Sequence, residues 1–464
     1  MLFNSYVFLF AFLPVAYLVF WSLRSAQQRY VWLTLSGYVF YGYWDARFCL
    51  LMAFSTAVSY VAGLGLLKYS DPGVRRWYLV VPITVDLCLL AFFKYADFGL
   101  RTTEFALRIF GKEVELPVLG IVLPVGISFY TFHTITYIVD SYRGVIHPTR
   151  NLFEFSAYVS LFSQLVAGPI VRFRQIEQDL VHLGSADRTR WLAKGAAFFM
   201  IGLLEKVLVA DGLAHFVDPA LADYQSLSSL GVWLAILGYT FQLYFDFCGY
   251  SDMAVGLGYM FGLRIPQNFN SPYKALNPSD FWRRWHISLS TCMRDYLYIP
   301  LGGNRNGEWA TYRNMMLTML IGGLWHGANW TFVAWGAYHG LLLAVYRSSE
   351  RIWDRLPALI AQTLTFLLAV IGWVFFRSTD FSMATHLLTK MFVPTEGVLM
   401  PEVTLFAVLL GLAALWGTAG PNAFDLFREF QWRRRYAFPL AAAFGVGLAI
   451  IAGGRSSPFL YFQF

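Results

Sequence analysis

The chain reads as an all-helical, polytopic membrane protein. Three observations predict this. Of 464 residues, 57% are hydrophobic and only 14% charged, against roughly 25% charged in an ordinary soluble domain. Apolar runs recur from Leu2 onward with a mean hydropathy of +0.51, and a bilayer-crossing helix needs about 20 such residues. Lys and Arg also gather in alternate connections. Seven loop regions (24–29, 68–77, 143–150, 172–194, 264–313, 347–355 and 428–435) hold 26 of the 35. Cytoplasmic loops carry such an excess, so the pattern assigns these loops to the cytoplasm and the N-terminus to the outside. The net charge of +7 is therefore read as topology, with the lipid bilayer and not nucleic acid as partner.

The elements follow in order. The run 3–23 has no basic residue before Arg24 and no small-residue cleavage site, so it reads as an uncleaved first span. Spans are expected next at 30–44, 48–67, 78–96 and 117–139. The segment 152–169 is apolar but flanked by basic loops on both sides. A re-entrant or interfacial element suits it, since irregular backbone at membrane depth is tolerated where protein or water surrounds it. Spans at 191–212 and 229–262 follow, the first containing Lys206 and the second Asp246 and Asp252. The two acids are expected to form a helix-breaking, hydrogen-bonded scaffold. After the long cytoplasmic segment 264–313 come spans at 314–327, 330–346, 357–376, 401–419 and 436–453. Pro124, Pro169 and the Gly322-Gly323 pair are expected break points. No polar stretch is long enough to fold separately, so 1–464 reads as one membrane domain. A proton-coupled transporter predicts paired repeats and broken helices in both halves, and it is disfavoured because the expected breaks lie mainly in the second half. Cys49, Cys88, Cys248 and Cys292 show no pairing or metal spacing.

The segment 264–313 carries most of the candidate chemistry. Asn277-Pro278-Ser279-Asp280 has the polar cap, early proline and early acid of a helix start. At 100° per residue, Trp282, Trp285, Leu289, Met293 and Tyr296 share one side of a single amphipathic helix, with Arg283, Ser290 and Arg294 on a flank beside His286. Interfacial arginines of this kind often do no more than snorkel. The alternative is a phosphate site, because guanidinium groups offer paired donors to phosphate. Lys274, Arg283, Arg284, Arg294 and Arg305 are the candidates. Among eight histidines, His326 stands out: residues 314–346 contain no Asp, Glu, Lys or Arg, and ionisable groups at membrane depth are costly and commonly functional. A metal shared by His286 and His326 is disfavoured, because a spacing of 40 residues carries no ligand signature.

The run Tyr244-Phe-Asp246-Phe-Cys-Gly249-Tyr-Ser251-Asp252 resembles the membrane-bound O-acyltransferase family. The resemblance continues through Pro266-Gln-Asn-Phe-Asn-Ser-Pro-Tyr273, Asp280-Phe-Trp-Arg-Arg-Trp-His286-Ile-Ser-Leu-Ser290, Arg294-Asp-Tyr-Leu-Tyr-Ile-Pro-Leu-Gly-Gly-Asn-Arg305 and Gly323-Leu-Trp-His326-Gly-Ala-Asn-Trp330. The motif Tyr38-Val-Phe-Tyr-Gly-Tyr-Trp44 and the ending Ser457-Pro-Phe-Leu-Tyr-Phe-Gln-Phe464 are similar to the bacterial branch that O-acetylates alginate and related polysaccharides.

That resemblance implies a bundle of about 11–12 transmembrane helices with re-entrant elements around a central tunnel. Acyl-CoA would enter from the cytoplasm and the acceptor from the other face. The family's catalytic histidine corresponds to His326 and its second polar position to His286, within a catalytic block at 244–346. Asp246, Asp252, Trp325 and Asn329 would support the site. Cys248 stands where a small residue such as serine is usual and is expected to be neutral. The implied activity is O-acetyl transfer with acetyl-CoA as donor, no bound cofactor and no metal. A periplasmic Ser-hydrolase-like acetyltransferase or an acetyl carrier would pass the group to an alginate-like or cellulose-like exopolysaccharide. Peptidoglycan is the alternative acceptor. The location implied is the bacterial inner membrane.

Overall fold

A computed structural model describes residues 1–185, 187–427, 434–454 and 459–460, with 434–437 described by backbone alone. Most of the basic loop 428–435 and of the ending 457–464 lies outside the described residues. Every regular element among the described residues is helical, and the chain divides into two compact units.

The first unit comprises Met1–Gly195 and Ala254–Pro266. A π-helical turn, Val7–Phe12, runs into α1 (Leu13–Ser22), and α2 (Ala26–Asp45) follows. Ser25 sets the start of α2 through a reciprocal cap with Gln28. Next come α3 (Arg47–Lys68) and α4 (Pro72–Leu90). A π-helical turn at Ala91–Tyr95 carries α4 on into α5 (Ala96–Ile109). The fifth expected span begins later than its apolar run: 112–124 is irregular, and α6 (Ile127–Tyr142) starts after Gly126 turns the chain with φ 76°. The apolar run 152–169 forms a helix only in α7 (Leu152–Val159), whose eight residues span about 12 Å, too short for a crossing. The irregular stretch behind it, 160–172, is buried throughout. Gln164 Nε2 donates to Tyr158 O at 2.8 Å and Tyr158 Oη to Val171 O at 3.0 Å, whereas Ser163 Oγ and Gln164 Oε1 are buried without a hydrogen-bond partner among the described residues. After α8 (Phe173–Val181), Arg264 Nε closes the unit on Asp179 Oδ1 at 2.8 Å.

The second unit comprises Ala196–Met253 and Gln267–Phe464. Helix α9 (Arg188–Leu204) enters it, passes through a π-helical turn at Glu205–Ala210 and continues as α10 (Asp211–Ala222). Helix α11 (Ser229–Met260) is unbroken over 32 residues. The expected helix break at Asp246 and Asp252 is therefore absent, because both carboxylates meet side chains and the α11 backbone is undisturbed. Asp246 Oδ1 lies 2.6 Å from Lys206 Nζ, which also donates to Asp211 Oδ1 at 2.7 Å. An ammonium shared by two carboxylates is how a buried charge becomes tolerable.

Residues 314–346 form a helical hairpin of α14 (Glu308–His326) and α15 (Trp330–Trp353). Gly322-Gly323 does not break α14, contrary to expectation. A Cβ on Gly323 would stand 2.2 Å from Phe332 O, and one on Gly336 would stand 2.3 Å from Met319 O. The glycines let the two backbones touch, a recurring use of small residues between membrane helices. The break falls at His326-Gly327 instead, and Asn329 caps α15 by accepting from Thr331 N at 3.1 Å. Helices α16 (Ala358–Arg377), α17 (Phe381–Phe392), α18 (Val403–Ala419), α19 (Ala423–Phe427) and α20 (Arg434–Ala452) complete the unit. Among the described residues, four stretches are long and apolar enough to cross a membrane: Arg47–Lys68, Pro72–Ile109, Ser229–Met260 and Ala358–Arg377.

Candidate active site

The segment between α11 and α14 folds inward, and this positions the site. The single amphipathic helix expected there is two short ones, α12 (Pro278–Arg284) and α13 (Ile287–Met293), with a π-helical turn, Arg294–Tyr298, beyond. His286 sits at the joint with φ 43°, one of only three non-glycine residues with positive φ among the described residues. A non-glycine residue holds that conformation when its surroundings over-determine it, and Asn268 supplies the restraint. Backbone bonds flank the joint, from Ile287 N to Asn268 O at 2.8 Å and from Asn270 N to Arg284 O at 2.9 Å. Asn268 Oδ1 accepts from Ser288 N at 3.2 Å and Ser288 Oγ at 2.8 Å, and its Nδ2 donates to Ser251 Oγ on α11 at 3.1 Å.

The turn drives His286 inside. Expected at the edge of a cationic helix reached from the cytoplasm, between its flank and its apolar face, it is 0% exposed, with Phe247 at 4.7 Å and Trp325 at 5.9 Å between ring centres. Burial lowers its pKa to about 3, so the ring is neutral at physiological pH. His326, at the C-terminal end of α14, is 4% exposed. Trp325, Trp335 and Phe376 surround it at 5.1, 5.0 and 5.2 Å, each edge-on. The two imidazoles are 6.4 Å apart, centre to centre. Forty residues apart in sequence, they meet in one aromatic chamber.

His326 also lines a cavity of about 570 Å³, together with Ser290, Thr291, Gly322, Trp335, Arg283 and Arg294. The two arginines are exposed and His326 is buried, so the cavity leads from cationic side chains to a buried imidazole. Its volume falls within the roughly 300–1,000 Å³ typical of small-molecule sites.

The five basic candidates divide. Arg283 and Arg294 border the cavity; the other three are not among its lining residues. Lys274 Nζ donates to Gly420 O at 2.6 Å, Arg284 pairs with Asp280 at 2.9 Å, and Arg305 bonds Ile299 O at 3.3 Å. Lys274 thus ties down the distant Gly420 backbone, Arg284 pairs with a side chain of its own helix, and Arg305 ties down local backbone. Trp325 stands against both histidines. Asn329 acts through the fold, capping α15 and donating to Thr379 O at 2.7 Å. Asp246 belongs to the Lys206 ion-pair cluster, and Asp252 lies against Cys248. Sequence reasoning missed Asn268, Trp335 and Phe376. Asn268 lay within the recognisable run 266–273, the only signal that pointed to it. His339 packs at 4.9 Å from Trp335 and parallel to Phe281.

Residues 122–387 match MBOAT, the membrane-bound O-acyltransferase family. The chain is 47% identical to the probable alginate O-acetylase AlgI of Azotobacter vinelandii over 96% of this chain and 87% of that protein. It is 46% identical to the protein of the same name in Pseudomonas putida over 100% of both. A peptidoglycan O-acetyltransferase of Helicobacter pylori is 38% identical over 84% of this chain and 80% of its own length. The profile covers more than half the chain and the likeness to these relatives spans nearly all of it, so the protein belongs to the membrane-bound O-acyltransferase family and is a multi-pass membrane O-acyltransferase.

Proposed function

We propose that the protein takes acetyl from cytoplasmic acetyl-CoA and delivers it toward O-acetylation of an alginate-like exopolysaccharide. The observation that carries the reading is the cavity shared by Arg283, Arg294 and His326. Guanidinium groups at its exposed end suit the phosphates of CoA, and the thioester would then lie along the apolar interior toward the buried imidazole. The names carried by the relatives from Azotobacter vinelandii and Pseudomonas putida supply the acceptor class.

In the proposed reaction, neutral His326 accepts the proton of an acceptor hydroxyl as its oxygen attacks the thioester carbonyl. The new C–O bond forms, the C–S bond breaks, and the CoA thiolate leaves with a proton returned from the imidazolium. General-base help of this kind is typically worth about 10²–10⁴ in rate. His286 is too far from His326 for a direct hydrogen bond at this ring separation. In this scheme the reacting end of the substrate passes His326 to reach the buried His286, which orients it or donates to the developing oxyanion. The immediate acceptor is a hydroxyl of a periplasmic Ser-hydrolase-like acetyltransferase or acetyl carrier, and the polysaccharide receives the group afterwards.

Purified protein in proteoliposomes, given acetyl-CoA and a soluble acceptor, tests the scheme. His326→Ala at normal abundance should lower acetyl transfer by about 10²–10⁴; near-normal turnover overturns the assignment. Acetyl groups found on peptidoglycan and not on exopolysaccharide would redirect the acceptor to the class named for the Helicobacter pylori relative.

A further inference from the structure

A second cluster in the second unit has no part in that chemistry. Cys248 and Asp252 are one helical turn apart on α11, so their side chains share a face. Glu205 opens the π-helical turn after α9 and reaches the same point. A ligand atom from each of the three lies within 4.8 Å of the other two, and Cys248 Sγ is 3.7 Å from Asp252 Oδ2. All three residues are buried, at 2%, 1% and 6% exposure for Glu205, Cys248 and Asp252. Glu205 Oε2 has no hydrogen-bond partner among the described residues. Two carboxyl groups and a thiol facing one another in a dry core either keep their protons or surround a cation. Lys206, the adjacent cation, is already engaged by Asp211 and Asp246.

We infer that Glu205, Cys248 and Asp252 hold a divalent cation of the zinc class, clamping the π-helical turn to α11. Zinc binds thiolate at about 2.3 Å and carboxylate oxygen at about 2.0–2.2 Å in a tetrahedral set, which separates neighbouring ligand atoms by about 3.5 Å. The 3.7 Å between Sγ and Oδ2 fits. Three atoms no more than 4.8 Å apart have a common centre within about 2.8 Å of each, so a small inward movement completes the site. The thiolate selects zinc over magnesium or calcium, which prefer oxygen alone. π-Helical turns recur at functional sites, and here the turn presents the first ligand. Ser251, the neighbour of Asp252, anchors Asn268, so the ion would stiffen the part of α11 that supports the His286 joint. Cys248, expected to be neutral, becomes the residue that defines the metal.

The test is elemental analysis by mass spectrometry of protein purified in detergent without chelators, then of the same protein after incubation with zinc and desalting. The expected result is zinc equimolar with the chain, and a Tm lowered by a strong chelator and restored by zinc. Cys248→Ser and Glu205→Gln should each lose the metal and the chelator response while eluting as folded protein. Zinc far below equimolar after incubation, or undiminished zinc in both variants, overturns the proposal. A metal-free wild-type protein with a chelator-insensitive Tm would mean that the two carboxyl groups share a proton instead. Should the variants fail to fold, the wild-type zinc content and chelator response decide alone. None of these readouts depends on acetyl transfer.

Discussion

Asn268→Ala isolates the restraint on the His286 joint. The substitution removes the acceptor used by Ser288 N and Ser288 Oγ and the donor to Ser251. A backbone N–H left without its acceptor in the core costs about 1–3 kcal/mol. The positive φ of His286 costs a similar amount, about 1–3 kcal/mol, and persists only while its surroundings enforce it. The two backbone bonds from Asn270 and Ile287 remain, so the chain should still fold. We expect unfolding free energy to drop by about 1–3 kcal/mol. Turnover should fall about tenfold or more, since each 1.4 kcal/mol of preference for the productive turn is a factor of ten. The KM for acetyl-CoA should change little, because Asn268 does not line the cavity. Thermal unfolding together with acetyl-CoA turnover in proteoliposomes measures all three quantities. A double-mutant cycle with His286→Ala adds the sharper comparison: residues acting as a unit give a double variant no worse than the worse single. An Asn268→Ala protein with wild-type Tm and wild-type turnover would refute the reasoning, as would strictly additive losses in the cycle.

Other outcomes follow from the same geometry. Reversing Arg283 and Arg294 to Glu should raise the KM for acetyl-CoA, whereas Lys274→Ala and Arg284→Ala should lower stability and leave that KM alone; steady-state kinetics beside thermal melts separates the two groups. Gly323→Ala brings a methyl group to 2.2 Å from a backbone oxygen, and overpacking of this sort costs about 1–3 kcal/mol, so both Tm and turnover should decline. Because burial holds the His286 pKa near 3 against an ordinary 6.5, the unfolded chain takes up its proton first. Stability from this group is complete above pH 6.5 and is lost as pH falls toward 3. Acid unfolding of His286→Gln should therefore begin at lower pH than wild type, and an identical acid midpoint would contradict the buried, neutral assignment.

Much of this was legible in the sequence because membrane insertion writes itself into composition. Long apolar runs and basic loops follow from the cost of moving charge into lipid, and the helices at Arg47–Lys68 and Ala358–Arg377 fall where the runs lie. His326 was legible for the same reason, as an ionisable group in a stretch without formal charge. The joint at His286 was not. Periodicity at 100° per residue assumes a continuous helix, and the break comes from Asn268, distant in sequence and close in space. The division of the basic residues was equally hidden, because snorkelling, tying down backbone and lining a cavity all use the same side chains.

The sequence by itself determined the membrane class, the all-helical fold and the family, and it singled out the two histidines as candidates, since each depends on local composition or on contiguous motifs. Only the tertiary structure decided which residues share a space. It brought His286 to His326, set Arg283 and Arg294 apart from Lys274, Arg284 and Arg305, and gathered Glu205 with Cys248 and Asp252. These juxtapositions depend on how helices pack and where backbones break, quantities fixed by contacts between residues far apart in the chain.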